Sequence, residues 1–269
     1  MESWFLLNED GAPGAENMAR DEFLLTAAET MGGPPILRLY RFVPPAITIG
    51  FHQDPARVLD LDAVRSSGID VVRRITGGRA LLHDGELTYA VAAPNDNPAL
   101  GSGLREAYGR ISEAVVSALR AVGVEAELSA GHPGYREEGS ASPCLVSASR
   151  YEITAGGRKI AGSAQRRTAA SFLQHGSILV APASGGIVRF LKGEWKSLDG
   201  RITSVSEELG GGIENGALRR AIADAFAERF RVAWRPFELT AVERKEISRS
   251  ARQKREELSG VIGREVRGR

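Results

Sequence analysis

Between Ile36 and Pro94 the chain twice reads as a pair of extended runs joined at a corner, which commits it early to a sheet. "ILRLYRFVPPAITIGFHQ", residues 36–53, alternates apolar and polar side chains on both sides of Pro44-Pro45. That is the pattern of two strands broken by a rigid turn. "DVVRRITGGRALLHDGELTYAVAAP", residues 70–94, repeats it around Gly77-Gly78 and Asp84-Gly85. Helical spacing flanks these runs. Met18, Phe23, Leu24, Ala27 and Ala28 share one face over 17–31, and Leu104, Tyr108, Ile111, Val115, Ala118, Leu119 and Val122 share one over 103–122. Strand-like and helix-like stretches alternate with no fixed repeat, so a mixed α/β protein is expected.

Beyond Gly123 the pattern continues. Residues 129–142 are rich in Gly, Ser and Pro, which predicts an exposed, mobile loop. "SRYEITAGGRKIAGSAQRR" then reads as a hairpin about Gly156-Gly157, and "SFLQHGSILV" as a further strand. Residues 216–231 and 241–258 read as helices. From Ala241 onward nine Lys/Arg face five Glu. The plain expectation there is a solvated helix laced by i,i+4 pairs, and the sharper one a docking surface for an acidic protein.

At 269 residues, with 42% hydrophobic and 26% charged side chains, the chain has enough apolar content for a substantial core. Its 35 basic and 34 acidic residues leave a formal charge of +1, so no global field recruits nucleic acid or an acidic membrane. No apolar run approaches the roughly 18–20 residues of a membrane span. The start, "MESWFLLNEDGAPG", has no basic n-region or cleavage site. A cytoplasmic location is expected, and a single cysteine, Cys144, fits a reducing compartment. Four histidines and one cysteine never approach metal-ligand spacing, so no metal is expected.

Cys144 follows Pro143 at the end of the small-residue stretch. A lone thiol packs, binds or reacts. Burial as a small hydrophobe is the commoner fate, but a Gly/Ser/Pro-rich loop is a poor place to bury anything. In Arg73-Arg74-Ile75-Thr76-Gly77-Gly78-Arg79, glycines without Cβ atoms let a ligand reach backbone N–H groups, and paired arginines suit an anion. An ordinary hairpin turn with surface arginines is the alternative. Lys159, beside Arg158 after a Gly-Gly pair, reads by itself as a surface charge.

Taken together, Arg74, Thr76, Gly77, Gly78, His83 and Asp84 resemble in order the "RRxTGGRAxxHD" signature of the lipoate-protein ligase and octanoyltransferase superfamily. "GGRKIAGSAQRR", "LQHGSIL" and "RLYRFVPPAITIGFHQ" match further pieces of it, from Arg38 to Leu179. The segment "PCLVSASRYEI", with Arg79 where ATP-dependent ligases carry a third Gly, resembles the cysteine-dependent octanoyltransferase branch.

The resemblance implies a biotin/lipoate protein ligase-like α/β fold, with a mixed, largely antiparallel sheet and flanking helices. It would span residues 1–210, with a helical C-terminal extension over 211–269 packed on the same domain. It implies an octanoyl-[acyl-carrier-protein]:protein N-octanoyltransferase in lipoyl cofactor biosynthesis. Cys144 would be the nucleophile, Lys159 its acid–base partner, and no cofactor would be needed. Substrate binding would fall to Arg73, Arg74, Thr76, Gly77, Gly78, Arg79, His83, Gly162, Ser163, Ala164, Gln165 and His175. Octanoyl-acyl carrier protein would be the donor, and an apo lipoyl domain or glycine-cleavage H protein the acceptor. Arg73, Arg79, Arg166 and Arg167 would steer these acidic partners. A monomer is expected. Tyr40, Phe42, Ile47, Leu81, Leu82, Tyr89 and Ile178 are mostly core by default, with a few lining an acyl tunnel. An ATP-dependent lipoate or octanoate ligase, an octanoyl-H-protein amidotransferase and a non-catalytic acyl- or lipoyl-domain-binding paralogue stay open as alternatives.

The physical case for Cys144 does not need the resemblance, although it is weaker alone. Exchange of an acyl group between thiols is nearly isoenergetic, amide formation from a thioester is downhill, and even an unperturbed cysteine is a few per cent thiolate at neutral pH.

Overall fold

The computed structural model describes residues 2–101, 103–129, 152–182, 186–193 and 200–263. Eleven strands among them are β1 (Glu2–Ala12), β2 (Ile36–Phe42), β3 (Ala46–Ile49), β4 (Asp70–Arg73), β5 (Leu81–His83), β6 (Leu87–Pro94), β7 (Ala126–Leu128), β8 (Ile153–Ala155), β9 (Arg158–Arg167), β10 (Ser171–Ile178) and β11 (Val232–Pro236). The helices are α1 (Gly14–Met31), α2 (Pro55–Val58), α3 (Leu61–Ser67), α4 (Leu104–Ala121), α5 (Val205–Glu208), α6 (Asn215–Phe230) and α7 (Ala241–Ile262).

The central sheet runs β11-β1-β2-β6-β10-β9-β8-β7, and a small second sheet runs β4-β3-β5. β1 pairs in parallel with both β2 and β11, while β2, β6, β10, β9, β8 and β7 pair antiparallel in succession. The expectation of a mixed, largely antiparallel sheet holds. The Pro44-Pro45 corner does more than turn the chain: it moves it from the large sheet, which holds β2, to the small one, which holds β3.

β2 shows how sequence period sets the layers, because alternate side chains leave a strand on opposite faces. Leu37 and Leu39 join Val91, Ile111, Leu119, Ile222 and Phe226 in the core under α4 and α6. Ile36, Tyr40 and Phe42 join Met18, Leu24, Ala90 and Leu173 under α1 on the other face. A third cluster fills the space between the small sheet and α3, with Ile47, Ile49, Val64 and Phe190. Packing continues without a break past residue 210, since Phe226, Phe230 and Val232 share the core of Trp4 and Leu37.

α7 differs from a purely solvated helix. Ile247, Ala251, Lys254, Leu258 and Ile262 form a buried stripe, which joins the α1 core and the small-sheet core. Lys254 Nζ donates to Glu22 Oε1 on α1 at 2.7 Å. Thr240 and Glu243 close a capping box that starts the helix. No helix among the described residues is long and apolar enough to cross a membrane.

Candidate functional site

A pocket enclosing about 450 Å³ of empty space, its mouth included, opens where the small sheet meets the central one. β2 contributes Tyr40 and Phe42, α1 contributes Met18, and β5 with the turn before it contributes Gly78, Leu81 and His83. β9 lends Gly162, Ser163 and Ala164, and the neighbouring β10 lends His175, Gly176 and Ser177. Register explains the grouping, because Ser163 pairs with Gly176 and Ala164 with His175. Of the residues expected to bind substrate, Arg74, Gly78, His83, Gly162, Ser163, Ala164 and His175 stand in the wall. Of the expected tunnel residues, Tyr40, Phe42 and Leu81 do, whereas Ile47, Leu82, Tyr89 and Ile178 lie outside it.

Two carboxylate–histidine–threonine chains brace the walls. In the first, His175 Nδ1 meets Asp21 Oδ2 at 2.8 Å and His175 Nε2 meets Thr76 Oγ1 at 2.7 Å. Asp21 is fully enclosed, with Arg38 Nη1 at 2.7 Å and the Tyr40 hydroxyl at 2.8 Å. Burial opposes its ionisation. The hydrogen bond with His175 and the Arg38 charge outweigh that, and hold the carboxyl below its ordinary range. The Tyr40 phenol is pushed well above its own, by burial first and the Asp21 charge second.

In the second chain, Glu86 Oε1 bonds His83 Nδ1, and His83 Nε2 meets Thr48 Oγ1 at 2.8 Å. Arg74 Nη1 donates to the same hydroxyl at 3.0 Å. Because a carboxylate only accepts, a neutral His83 carries its proton on Nδ1 toward Glu86, and its Nε2 then accepts from the Thr48 hydroxyl, which in turn accepts from Arg74. The His83 ring also stacks on Phe42, centroids 3.8 Å apart.

At the Gly77-Gly78 turn both arginines bond to carbonyls of the chain itself. Arg74 Nη2 donates to Gly77 O at 2.9 Å and Arg79 O at 2.8 Å, so its guanidinium clamps the turn. Gly78 has φ +93°, and a Cβ there would meet Arg74 Nη2 at 2.7 Å. Arg73 faces the other way. It donates to the carbonyls of Gly50, Phe51 and Gln53 and to Glu257 of α7, fastening the last helix to the β3–α2 loop. Thr76 is buried, and bound to His175 rather than facing the cavity. Gln165 Nε2 donates to Gln174 Oε1 at 3.1 Å. Arg167 donates to Asn95 Oδ1 and lies over the Phe172 ring. Arg166 is exposed, 5.0 Å over the Phe51 ring.

Cys144 lies outside the described residues. Lys159 is 5% exposed, so it is not the surface charge its neighbours suggest. Its Nζ donates to Glu152 Oε1 at 2.6 Å, and Glu152 is as deeply buried. Lys159 does not line the pocket but lies against Gly162, which does: a Cβ built on Gly162 would stand 2.9 Å from Lys159 Cε and 3.1 Å from Nζ.

Glu152, Asp21, Thr48 and Glu86 are the groups sequence reasoning missed. One signal was available. Asn17 and Asp21 interrupt the buried stripe of α1 at i and i+4, and polar residues on a core face usually serve a partner. Glu152, alone in "RYEI", carried no comparable mark. Among the described residues no group of three or more His, Cys, Asp or Glu could hold a metal ion.

The family model of the lipoyl protein ligase A/B catalytic domain matches residues 13–227. This chain belongs to that family. The octanoyltransferase LipM of Moorella thermoacetica is 38% identical over 251 residues, covering 90% of this chain and 92% of the relative. That of Symbiobacterium thermophilum is 38% identical over 255 residues, covering 91% and 92%. Among solved structures, a lipoate-protein ligase A bound with ATP superposes with a TM-score of 0.80 at 26% identity, over 98% of this chain and 99% of the other.

Proposed function

We propose that this protein is an octanoyltransferase of lipoyl assembly. It moves octanoyl from octanoyl-acyl carrier protein, through a thioester on Cys144, to the ε-amine of a lysine on an apo lipoyl domain or glycine-cleavage H protein. The observation that carries the reading is the 38% identity to octanoyltransferases over nine-tenths of the chain. The pocket agrees with it, since Met18, Phe42 and Leu81 offer an acyl chain apolar contact while Lys159 lies just behind Gly162.

The reaction divides at the thioester. The Cys144 thiolate attacks the donor carbonyl, a C–S bond to Cys144 forms, the C–S bond to the carrier breaks, and the carrier thiolate takes a proton from the Lys159 ammonium. The acceptor amine then attacks the acyl-enzyme. A C–N bond forms, the Cys144 thiolate leaves, and the amine's proton returns to Lys159. Each cycle restores the thiolate and the ammonium, and no nucleotide is consumed.

The match to an ATP-bound lipoate-protein ligase A favours a second reading, ATP-dependent ligation, at lower identity. Incubating the protein with octanoyl-acyl carrier protein and an apo lipoyl domain, with and without ATP, separates the two. Octanoylated domain without ATP supports the transferase. Product from free octanoate and ATP, and none from the carrier thioester, rejects it.

A further inference from the structure

We propose that Glu152 is the positioning residue for Lys159, holding its nitrogen behind the pocket wall and favouring return of the proton to it in the amide-forming half of the reaction. The inference rests on the proposed acid–base part of Lys159.

Three features place the pair as a built unit. The carboxylate and ammonium meet at 2.6 Å, with both side chains 6% exposed. In so dry a place the carboxylate acts with little screening. The backbone is fixed at both ends: Lys159 N donates to Arg201 O and its carbonyl accepts from Thr203 N, each at 2.9 Å, while Glu152 O accepts from Ser129 N at 2.7 Å. The lysine end is also packed against the pocket wall, because Gly162 lines the pocket and a Cβ there would stand 2.9 Å from Lys159 Cε and 3.1 Å from Nζ.

A buried ion pair used only as a brace is a poor investment, since apolar residues of similar volume often serve as well. A fixed anion beside a shuttling amine does more. It stabilises the ammonium that exists when the carrier thiolate is to be protonated, and again when the acceptor amine has given up its proton. Between those states it accepts an N–H from the neutral amine and keeps it from swinging away. Glu152→Gln keeps the shape and an acceptor oxygen but loses the charge. The weakened proton acceptor slows the amide-forming half and leaves thioester formation nearly unchanged.

The test compares wild type with Glu152→Gln, Glu152→Asp and Lys159→Ala, using octanoyl-acyl carrier protein as donor and apo lipoyl domain as acceptor. Rapid-quench mass spectrometry follows acyl-enzyme and product, and thermal unfolding is measured alongside. A general base is worth about 10²–10⁴-fold, and Glu152→Gln is expected to lose at least about tenfold of that in the second half-reaction, so that acyl-enzyme accumulates. Glu152→Asp recovers part of the rate.

Wild-type transfer by Glu152→Gln overturns the inference, as does equal slowing of both halves. Should Glu152→Gln fail to fold, Glu152→Asp carries the test, and equal slowing of its two halves refutes the inference. An active Lys159→Ala instead removes the acid–base reading of Lys159, whatever Glu152 does.

Discussion

Gly162→Ala is the smallest change that should disable this site without dismantling it. The added Cβ would stand 2.9 Å from Lys159 Cε and 3.1 Å from Nζ, whereas carbon atoms rest comfortably at about 3.5–4.0 Å. Relief therefore demands a displacement of about 0.6 Å or more, and the lysine stem is the part able to give. That movement acts directly on the 2.6 Å contact with Glu152. Misplacing a catalytic group by about 1 Å costs about 10²-fold in rate, so kcat for octanoyl transfer should fall between about tenfold and a hundredfold. Because the crowded atoms are the far end of a flexible side chain, the overpacking itself should cost no more than the low end of about 1–3 kcal/mol of stability. Steady-state transfer to an apo lipoyl domain, with chemical denaturation in parallel, measures both. A folded Gly162→Ala enzyme with wild-type kcat, or one altered only in KM, would refute the claim that this gap aims Lys159.

Two further outcomes are expected. Asp21→Asn removes the buried charge shared by Arg38, Tyr40 and His175, and should destabilise by about 3–5 kcal/mol at neutral pH in urea melts. Because the folded state holds the Asp21 carboxyl below its ordinary value, its contribution is complete above the unfolded value of about 3.9 and is lost as pH falls below that. The acid-side decline in stability should then be shallower in Asp21→Asn than in wild type. Glu257→Ala should change stability by less than about 1 kcal/mol in the same melts, since its side chain is 43% exposed and Arg73 keeps three carbonyl acceptors.

The parts of the fold readable from sequence were those with a clean period or a sharp corner. The alternation on both sides of Pro44-Pro45 located β2 and β3, Gly156-Gly157 located the β8–β9 hairpin, and the amphipathic spacing of 103–122 located α4. β1 escaped because its bulge between Asn8 and Gly11 breaks the alternation. β11 and α3 escaped because they are short, and pair or pack across long sequence separations. At the site, motif order located the wall glycines and histidines, yet the direction of each arginine depended on carbonyls it could not name: Gly77 and Arg79 for Arg74, Gly50 and Gln53 for Arg73. The Lys159–Glu152 pair illustrates the limit most plainly. Seven residues apart, the two meet across the β8–β9 hairpin, whose pairing shifts register between Ile153 and Thr154.

The central claim is that acyl transfer passes through sulfur without nucleotide, and intact-mass spectrometry tests it most directly. Wild-type protein mixed with octanoyl-acyl carrier protein, in the absence of ATP and acceptor, should gain one octanoyl group. The gain should vanish in Cys144→Ser at neutral pH and discharge from wild type on addition of an apo lipoyl domain. A wild-type mass that stays unchanged while the domain still becomes octanoylated, or a Cys144→Ser variant with full turnover, would contradict the account.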